Sequence, residues 1–139
     1  MKDESGEITQ SALGVVMRST EIDATNFETI EWDDCYFKYC EFSGFSKEGG
    51  VISSDFVACS FKNLDWYWGV FAQANFVRCN FTNCTFRGAS FADARFVECG
   101  LKDVRFIEDN LRIRCDFSGA VAYGCTVEGG EGFKAKDRT

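Results

Sequence analysis

The sequence has no proline and no histidine. Because proline cannot donate a backbone N–H, its absence suits a chain whose amides nearly all donate to β-ladders. The absence of histidine removes the commonest general base and metal ligand. The sequence also has no apolar run long enough to span a bilayer, and its charged N-terminus, Met1 to Glu7, has no apolar signal region. These absences argue against secretion and membrane insertion, and they predict a cytoplasmic protein.

Phenylalanine is abundant instead, with 15 copies. A period of five fits neither an α-helix, with 3.6 residues per turn, nor a β-strand, with two. It predicts a chain that turns a corner every five residues and points two side chains per side inward. A large apolar residue recurs with this period at Val51, Phe56, Phe61, Trp66, Phe71, Phe76, Phe81, Phe86, Phe91, Phe96, Leu101, Phe106 and Leu111.

A small residue lies two positions before most of these apolar residues, and every cysteine occupies this position. The eight cysteines are Cys35, Cys40, Cys59, Cys79, Cys84, Cys99, Cys115 and Cys125. They replace the alanine, serine or glycine of other repeats, which indicates small apolar side chains facing the interior. Zinc sites usually pair cysteines at two to four residues, and disulfide frameworks belong to secreted domains. We therefore expect no metal, no cofactor and no disulfide.

The repeats resemble those of the pentapeptide-repeat family, in which a small residue precedes Asp, Asn, Ser or Thr, then Phe or Leu, then two polar residues. The resemblance implies an all-β fold, a right-handed quadrilateral β-helix of about five to six coils. It says less about function, because a fold does not imply a function. The repeats that match most closely are residues 74–76, 79–81, 84–86, 89–91 and 115–117.

The chain is predicted to be one domain in three parts. Residues 1–14 are polar and lack the period, which indicates an N-terminal tail or cap. Residues 15–128 are expected to form the β-helix. Residues 129–139 are charged and rich in glycine, which indicates a frayed C-terminal tail.

Two breaks in the period interrupt the β-helix. The step from Phe42 to Val51 takes nine residues instead of ten, and its glycines predict a loop or a distorted corner at 43–50. If this step still spans two sides, Phe42 stacks under Phe61.

The second break is the six-residue step from Leu111 to Phe117, which predicts a single-residue bulge near 112–114. Asp109, just before it, occupies a small inward position. A buried carboxylate is costly unless it is hydrogen-bonded. Either the bulge turns Asp109 outward, or Asp109 is a polar functional feature at the edge of the last coils.

Nothing in the sequence predicts an enzyme. There is no glycine-rich phosphate loop before a helix and no nucleophile motif, and the carboxylates lie mainly at outward positions. The remaining hypothesis is a protein-binding module.

The acidic residues are concentrated at one end. Through residue 41, ten acidic minus three basic residues give -7, the net charge of the whole protein, and the rest of the chain has twelve of each. An acidic end steers towards a basic partner, although acidity could serve only solubility. Outward aromatic residues are typical of interface hot spots, or they pack on their own corners. The candidate partner-binding residues are Asp23, Glu28, Glu31, Asp33, Asp34, Tyr36, Tyr39, Glu41, Phe45, Tyr67 and Trp68.

The favoured hypothesis is an immunity protein that neutralises a cognate bacterial toxin, a basic nuclease, by covering its active or nucleic-acid-binding surface. Some small members of the family that the sequence resembles have this role. Others mimic duplex DNA and bind type II topoisomerases such as gyrase, which is the first alternative. A generic interaction scaffold is the second alternative. We expect no direct contact with nucleic acid or membrane, and an uncapped coil end would favour a homodimer.

Overall fold

The computed structural model describes residues 10–23, 30–49, 51–52 and 54–138. Within these ranges the chain forms short strands and no helix, so no helix there is long and apolar enough to cross a membrane. The strands are β1 (Gln10–Leu13), β2 (Val16–Arg18), β3 (Glu21–Ile22), β4 (Ile30–Asp33), β5 (Tyr36–Lys38), β6 (Glu41–Ser43), β7 (Ser46–Glu48), β8 (Val51–Ile52), β9 (Asp55–Val57), β10 (Ser60–Lys62), β11 (Asp65–Tyr67), β12 (Asn75–Val77), β13 (Asn80–Thr82), β14 (Thr85–Arg87), β15 (Arg95–Val97), β16 (Gly100–Lys102), β17 (Arg105–Ile107), β18 (Val121–Tyr123), β19 (Thr126–Glu128) and β20 (Lys136–Asp137).

The strands stack in parallel as four sheets, which form the four sides of a coil. Side 1 contains β1, β4 and β8, and isolated parallel bridges continue it through Val70, Ser90 and Asp116. Side 2 contains β2, β5, β9, β12, β15, β18 and β20. Side 3 contains β3, β6, β10, β13, β16 and β19, and side 4 contains β7, β11, β14 and β17. From β4 to β19, the strands and the side 1 bridges lie on successive sides of the coil, so the predicted quadrilateral β-helix is confirmed.

The apolar residue at the centre of each five-residue repeat forms the core. On side 2, Phe56, Phe76 and Phe96 are aligned by the strand register. Their rings stack with centroids 5.1 Å and 4.9 Å apart. Burial of one such side chain contributes about 1.5–3 kcal/mol of transfer free energy, so the aromatic columns stabilise a fold that lacks two packed layers.

The irregular step after Phe42 spans two sides, as predicted. Phe42 is aligned with Phe61, and the two rings stack 4.7 Å apart. The columns therefore continue through the break.

Of the two alternatives for 43–50, the loop is wrong, because this segment contains β7. Its glycines Gly44 and Gly49 are corner residues with positive φ, and glycine adopts this conformation without steric cost.

Two inward positions in this segment carry unexpected side chains. Lys47 is 3% exposed at a central position, and Phe45 is 5% exposed at a small one.

Four coils are regular on all four sides, spanning residues 30–48, 51–67, 70–87 and 90–107. The turns before and after them are less regular, so the predicted count of five to six was slightly high. The expectation that Leu111 faces inward was also wrong, because its side chain is 70% exposed. The five-residue period of the sequence continues into these irregular turns, so a count of repeats includes them as coils.

The predicted C-terminal tail covers the end of the β-helix instead of fraying. β20 pairs with β18, and the ring of Phe133 lies 5.1 Å from Phe96 and 5.6 Å from Phe106. Because each coil of a solenoid contacts only its neighbours, the last one exposes its core unless it is capped. Phe133 provides this cover.

Candidate functional site

One of the candidate partner-binding residues lies in the core of the β-helix. Phe45 is buried, and its ring meets Trp66 edge-on at 6.1 Å. It was wrongly predicted as a contact residue because the segment around it was interpreted as a loop. Glu28 lies outside the described residues, and only the backbone of Glu31 is described, in β4.

The remaining candidates do not form one surface. Those that lie on side 1 or at one of its two corners are Glu31, Asp33, Asp34 and Trp68. Those that lie on the other three sides or corners are Asp23, Tyr36, Tyr39, Glu41 and Tyr67. Side 1 with its two corners therefore brings together more of the described candidates than any other side.

Several candidates on the other sides have partners within the chain. Arg87 lies over the ring of Tyr67, with 5.3 Å from its Cζ atom to the centroid, and its Nε atom is 2.9 Å from Asp65. Lys62 and Glu41 form a long ion pair of 3.9 Å between exposed side chains. Such contacts favour local packing over a role in binding for these residues.

The middle of side 1 is built from tight turns. The N–H of Ala74 donates to the carbonyl of Phe71 across 3.1 Å, and Gln73 between them has a φ of 63°. An i to i+3 hydrogen bond with a left-handed third residue is typical of a type II turn. Among the outward residues, Ala72 and Ser90 are small and half-buried, whereas Val70 and Gln73 are exposed.

The N-terminal part of side 1 is acidic. Asp33 and Asp34 are both exposed, and Asp34 forms the corner towards side 2 with a φ of 52°. Asp33 is aligned with Leu13, which is also exposed. An acidic and partly apolar surface therefore begins here.

At the opposite corner of side 1, Trp68 is tied to Asp109. The indole Nε1–H donates to Asp109 Oδ2 across 2.6 Å. The other carboxylate oxygen, Oδ1, accepts the N–H groups of Leu111 and Ile113, each at 2.8 Å. Asp109 is only 5% exposed, so the alternative in which a bulge turns it outward is wrong. Three donors satisfy the carboxylate and make its burial tolerable.

The surroundings of Asp109 have opposing effects on its pKa. Partial desolvation raises the pKa, whereas the N–H of Ile113, the indole of Trp68 and the N–H of Leu111 lower it, and the net pKa lies below the ordinary value. Asp109 is therefore held as the carboxylate near neutral pH. The repeat position of Asp109 predicts an inward side chain, but the sequence does not predict that Trp68, two coils away, is its partner.

The segment after Asp109 forms an exposed apolar edge beside Trp68. Leu111 is 70% exposed and Ile113 is 54% exposed, while Arg112 and Arg114 between and after them are exposed too. The single-residue bulge predicted near 112–114 was wrong, because Ser90 aligns with Asp116, 26 positions on, where the regular coils repeat every 20. The six extra residues carry the chain off the repeat here, so these apolar side chains do not reach the core.

The cysteines face the interior as predicted. Six are buried, two are half-buried, and all eight are free thiols. Burial raises the pKa of the Cys84 thiol to about 11, which leaves it protonated and unreactive near neutral pH. No group of three or more potential ligands that could hold a metal ion occurs in the part of the chain that the structure describes.

Part of the chain matches the model of a known protein family. Residues 70–107 match the family model for pentapeptide repeats, in eight copies. No curated protein matches the chain. Among solved structures, it is similar to a pentapeptide repeat protein, Rfr23, from the cyanobacterium Cyanothece 51142, with 11% identity over 88% of this chain and 87% of that chain and a TM-score of 0.49. It is also similar to QnrB1, a plasmid-mediated fluoroquinolone resistance protein, with 16% identity over 87% of this chain and 69% of that chain and a TM-score of 0.37.

The family match coincides with the most regular coils of the structure. Residues 70–107 therefore carry pentapeptide repeats, and the same four-sided parallel coil extends beyond them on both sides.

Proposed function

We propose that the protein is a non-enzymatic immunity protein that acts in the cytoplasm and neutralises a bacterial toxin by docking side 1 onto it. The partner is a basic nuclease, and the docked protein covers its active or nucleic-acid-binding surface. One observation carries the proposal. Side 1 combines an acidic end at Asp33 and Asp34 with an apolar edge at Trp68, Leu111 and Ile113.

The charge distribution supports a basic partner. The net charge of the protein is -7, and all of it arises before residue 42. Complementary charge speeds the encounter and suppresses wrong partners more than it adds affinity. A nuclease cleft is basic because it binds phosphates, so the acidic end of side 1 suits it.

The apolar edge supports a protein partner. Interface hot spots are enriched in tryptophan and lie in desolvated, well-packed positions. Burying an unsatisfied indole N–H would be costly, but Asp109 already accepts that of Trp68. Trp68 can therefore be covered by a partner that offers it no acceptor.

The same charge distribution argues against a DNA mimic that binds a topoisomerase. Duplex DNA carries negative charge along its whole length, whereas the chain after residue 41 has twelve acidic and twelve basic residues. An excess of negative charge at one end of the β-helix suits a partner that binds at that end.

The proposal can be tested by affinity capture from the lysate of the native host with three tagged forms. These are the wild type, Asp33→Lys with Asp34→Lys on side 1, and Glu98→Lys with Glu128→Lys away from side 1. The two variants change the net charge equally, and all four acids are exposed. We expect one basic protein to be retained by the wild type and the control variant and lost by the side 1 variant. We also expect the wild type to inhibit its nuclease activity.

Other outcomes would overturn the proposal. A retained topoisomerase subunit would favour the DNA-mimic alternative. Equal loss by both variants would mean that general charge, not side 1, drives association. If no protein is retained specifically, the acidic residues serve only solubility and the protein is a generic interaction scaffold.

A further inference from the structure

Five of the cysteines form a single column inside the β-helix. Each is aligned with the next through the backbone ladder of consecutive coils, which is seen where Asn80 donates to the carbonyl of Cys59 and Gly100 to that of Cys79, both at 3.0 Å. In order, the column contains Cys40, Cys59, Cys79, Cys99 and Cys125. A line of thiols thus runs along the corner between sides 2 and 3.

All five thiols point in the same direction. Each Sγ lies near a carbonyl oxygen of the preceding coil, at 3.2 Å for Cys99 to Phe76 and 3.3 Å for Cys125 to Phe96. The same contact recurs at 3.3–3.4 Å for the other three. Because the orientation is constant, successive sulfur atoms are separated by about one coil, roughly 4.7–4.9 Å.

We propose that Cys99 and Cys125 bind one soft monovalent cation, copper(I) or silver(I), between their two sulfur atoms. Thiolates are the soft ligands that copper(I) prefers. Two bonds of the zinc–thiolate length, about 2.3 Å, placed in line would span about 4.6 Å, close to the coil spacing, so a soft cation with bonds of similar length fits between the two sulfur atoms. Such a site needs two ligands, whereas the zinc sites considered from the sequence need four.

The two cysteines differ from the rest of the column in access. Cys125 is half-buried at the C-terminal end, while Cys59 and Cys79 are buried in the regular coils. The N–H of Cys99 also donates to Cys125 Sγ at 3.4 Å, which helps to stabilise a thiolate there.

Binding is an exchange of ions without electron transfer. The cation forms two metal–sulfur bonds, both S–H bonds break, and two protons leave to solvent. The complex carries one net negative charge, which is easier to accommodate at the partly solvated end than in the regular coils.

The test is a titration of the reduced protein with copper(I), in competition with a copper(I)-selective chelator. Native mass spectrometry counts the ions bound and the protons displaced. Cys125→Ala removes one ligand. Cys115→Ala is a matched control, because Cys115 is also half-buried, with its Sγ 3.4 Å from a carbonyl oxygen, but its neighbour in the preceding coil is Ala89.

We expect the wild type and Cys115→Ala to bind the first ion equally, with two protons lost. Cys125→Ala should bind at least about 10–100-fold more weakly, since even the loss of an outer partner of a metal ligand has this effect. Cys99→Ala provides the same test if Cys125→Ala does not fold. Equal weakening by Cys115→Ala, unchanged affinity of Cys125→Ala, or no tight ion in the wild type would overturn the proposal.

Discussion

Trp68 donates its indole N–H to Asp109 across 2.6 Å, although 41 residues separate them along the chain. Gly88 lies between them at the same corner of the β-helix. A Cβ atom on Gly88 would lie 2.8 Å from Asp109 Oδ2, so the contact depends on a glycine at this position. It links two coils and sets the position of the segment that exposes Leu111 and Ile113.

Gly88→Ala should therefore destabilise the protein more than Gly44→Ala. Both glycines have positive φ, 59° and 72°, and share a conformational cost of about 1–2 kcal/mol. Only Gly88 faces the Asp109 side chain, while nothing lies within 4 Å of a Cβ on Gly44. Overpacking should lower the free energy of unfolding by a further amount of about 1–3 kcal/mol. Denaturant unfolding of the two variants measures the difference, and equal losses would show that the contact does not need a glycine.

Trp68→Phe removes the indole donor but keeps an aromatic ring. Asp109 then retains the N–H groups of Leu111 and Ile113 and loses its contact with the earlier coil. We expect faster hydrogen exchange at residues 109–113 and unchanged exchange in β12 and β13. Unchanged protection at residues 109–113 would mean that the segment is held without Trp68.

Asp109 should also make stability depend on pH in the acidic range. Its pKa is lower in the folded protein than its ordinary value, which is about 3.9 in an unfolded chain. The carboxylate therefore stabilises the fold fully above about pH 4, and this contribution is lost as the pH falls through the folded pKa. Asp109→Asn should be less stable than the wild type at pH 6, and the difference should shrink below about pH 4. A constant difference from pH 3 to pH 6 would contradict this role.

The stacked aromatic columns predict a large effect of truncation. The ring of Phe81 is buried and stacks on Phe61 at 4.6 Å. Phe81→Ala should lower the free energy of unfolding by about 3–5 kcal/mol. Phe81→Leu should cost less, because Leu101 occupies the same column in the next coil. Similar losses for the two variants would show that ring stacking, not filled volume, stabilises the column.

The period of five was sufficient to predict the coil, because each inward residue repeats one geometric unit. If the nine-residue step spans two sides, the period also places Phe42 under Phe61, and the structure has this alignment. The buried Lys47 and Phe45 could not be predicted, because they break the chemical pattern while keeping the backbone path.

The candidate site was less predictable than the fold. The repeat positions of the acidic residues and of Trp68 predict outward side chains. Assigning these residues to a side of the coil, however, requires the repeats to be counted through both breaks in the period. The bond from Trp68 to Asp109 joins residues 41 positions apart, and no local pattern signals it. The exposed edge at Leu111 results from six extra residues in one coil. In the sequence five of these six are indistinguishable from another repeat, so only a one-residue shift of the period is visible.

The central claim is that side 1 is the docking surface, and the most direct measurement is the affinity of the captured partner for surface variants. Calorimetric titration at low and high salt would compare the wild type, Asp33→Lys with Asp34→Lys, Trp68→Ala, and Glu98→Lys with Glu128→Lys. We predict at least about tenfold weaker binding for the two side 1 variants, equivalent to about 1.4 kcal/mol, and wild-type affinity for the control. High salt should reduce the effect of the aspartate variant, because screening weakens exposed charges. Equal affinity of all four proteins, or equal weakening by the control, would contradict the claim.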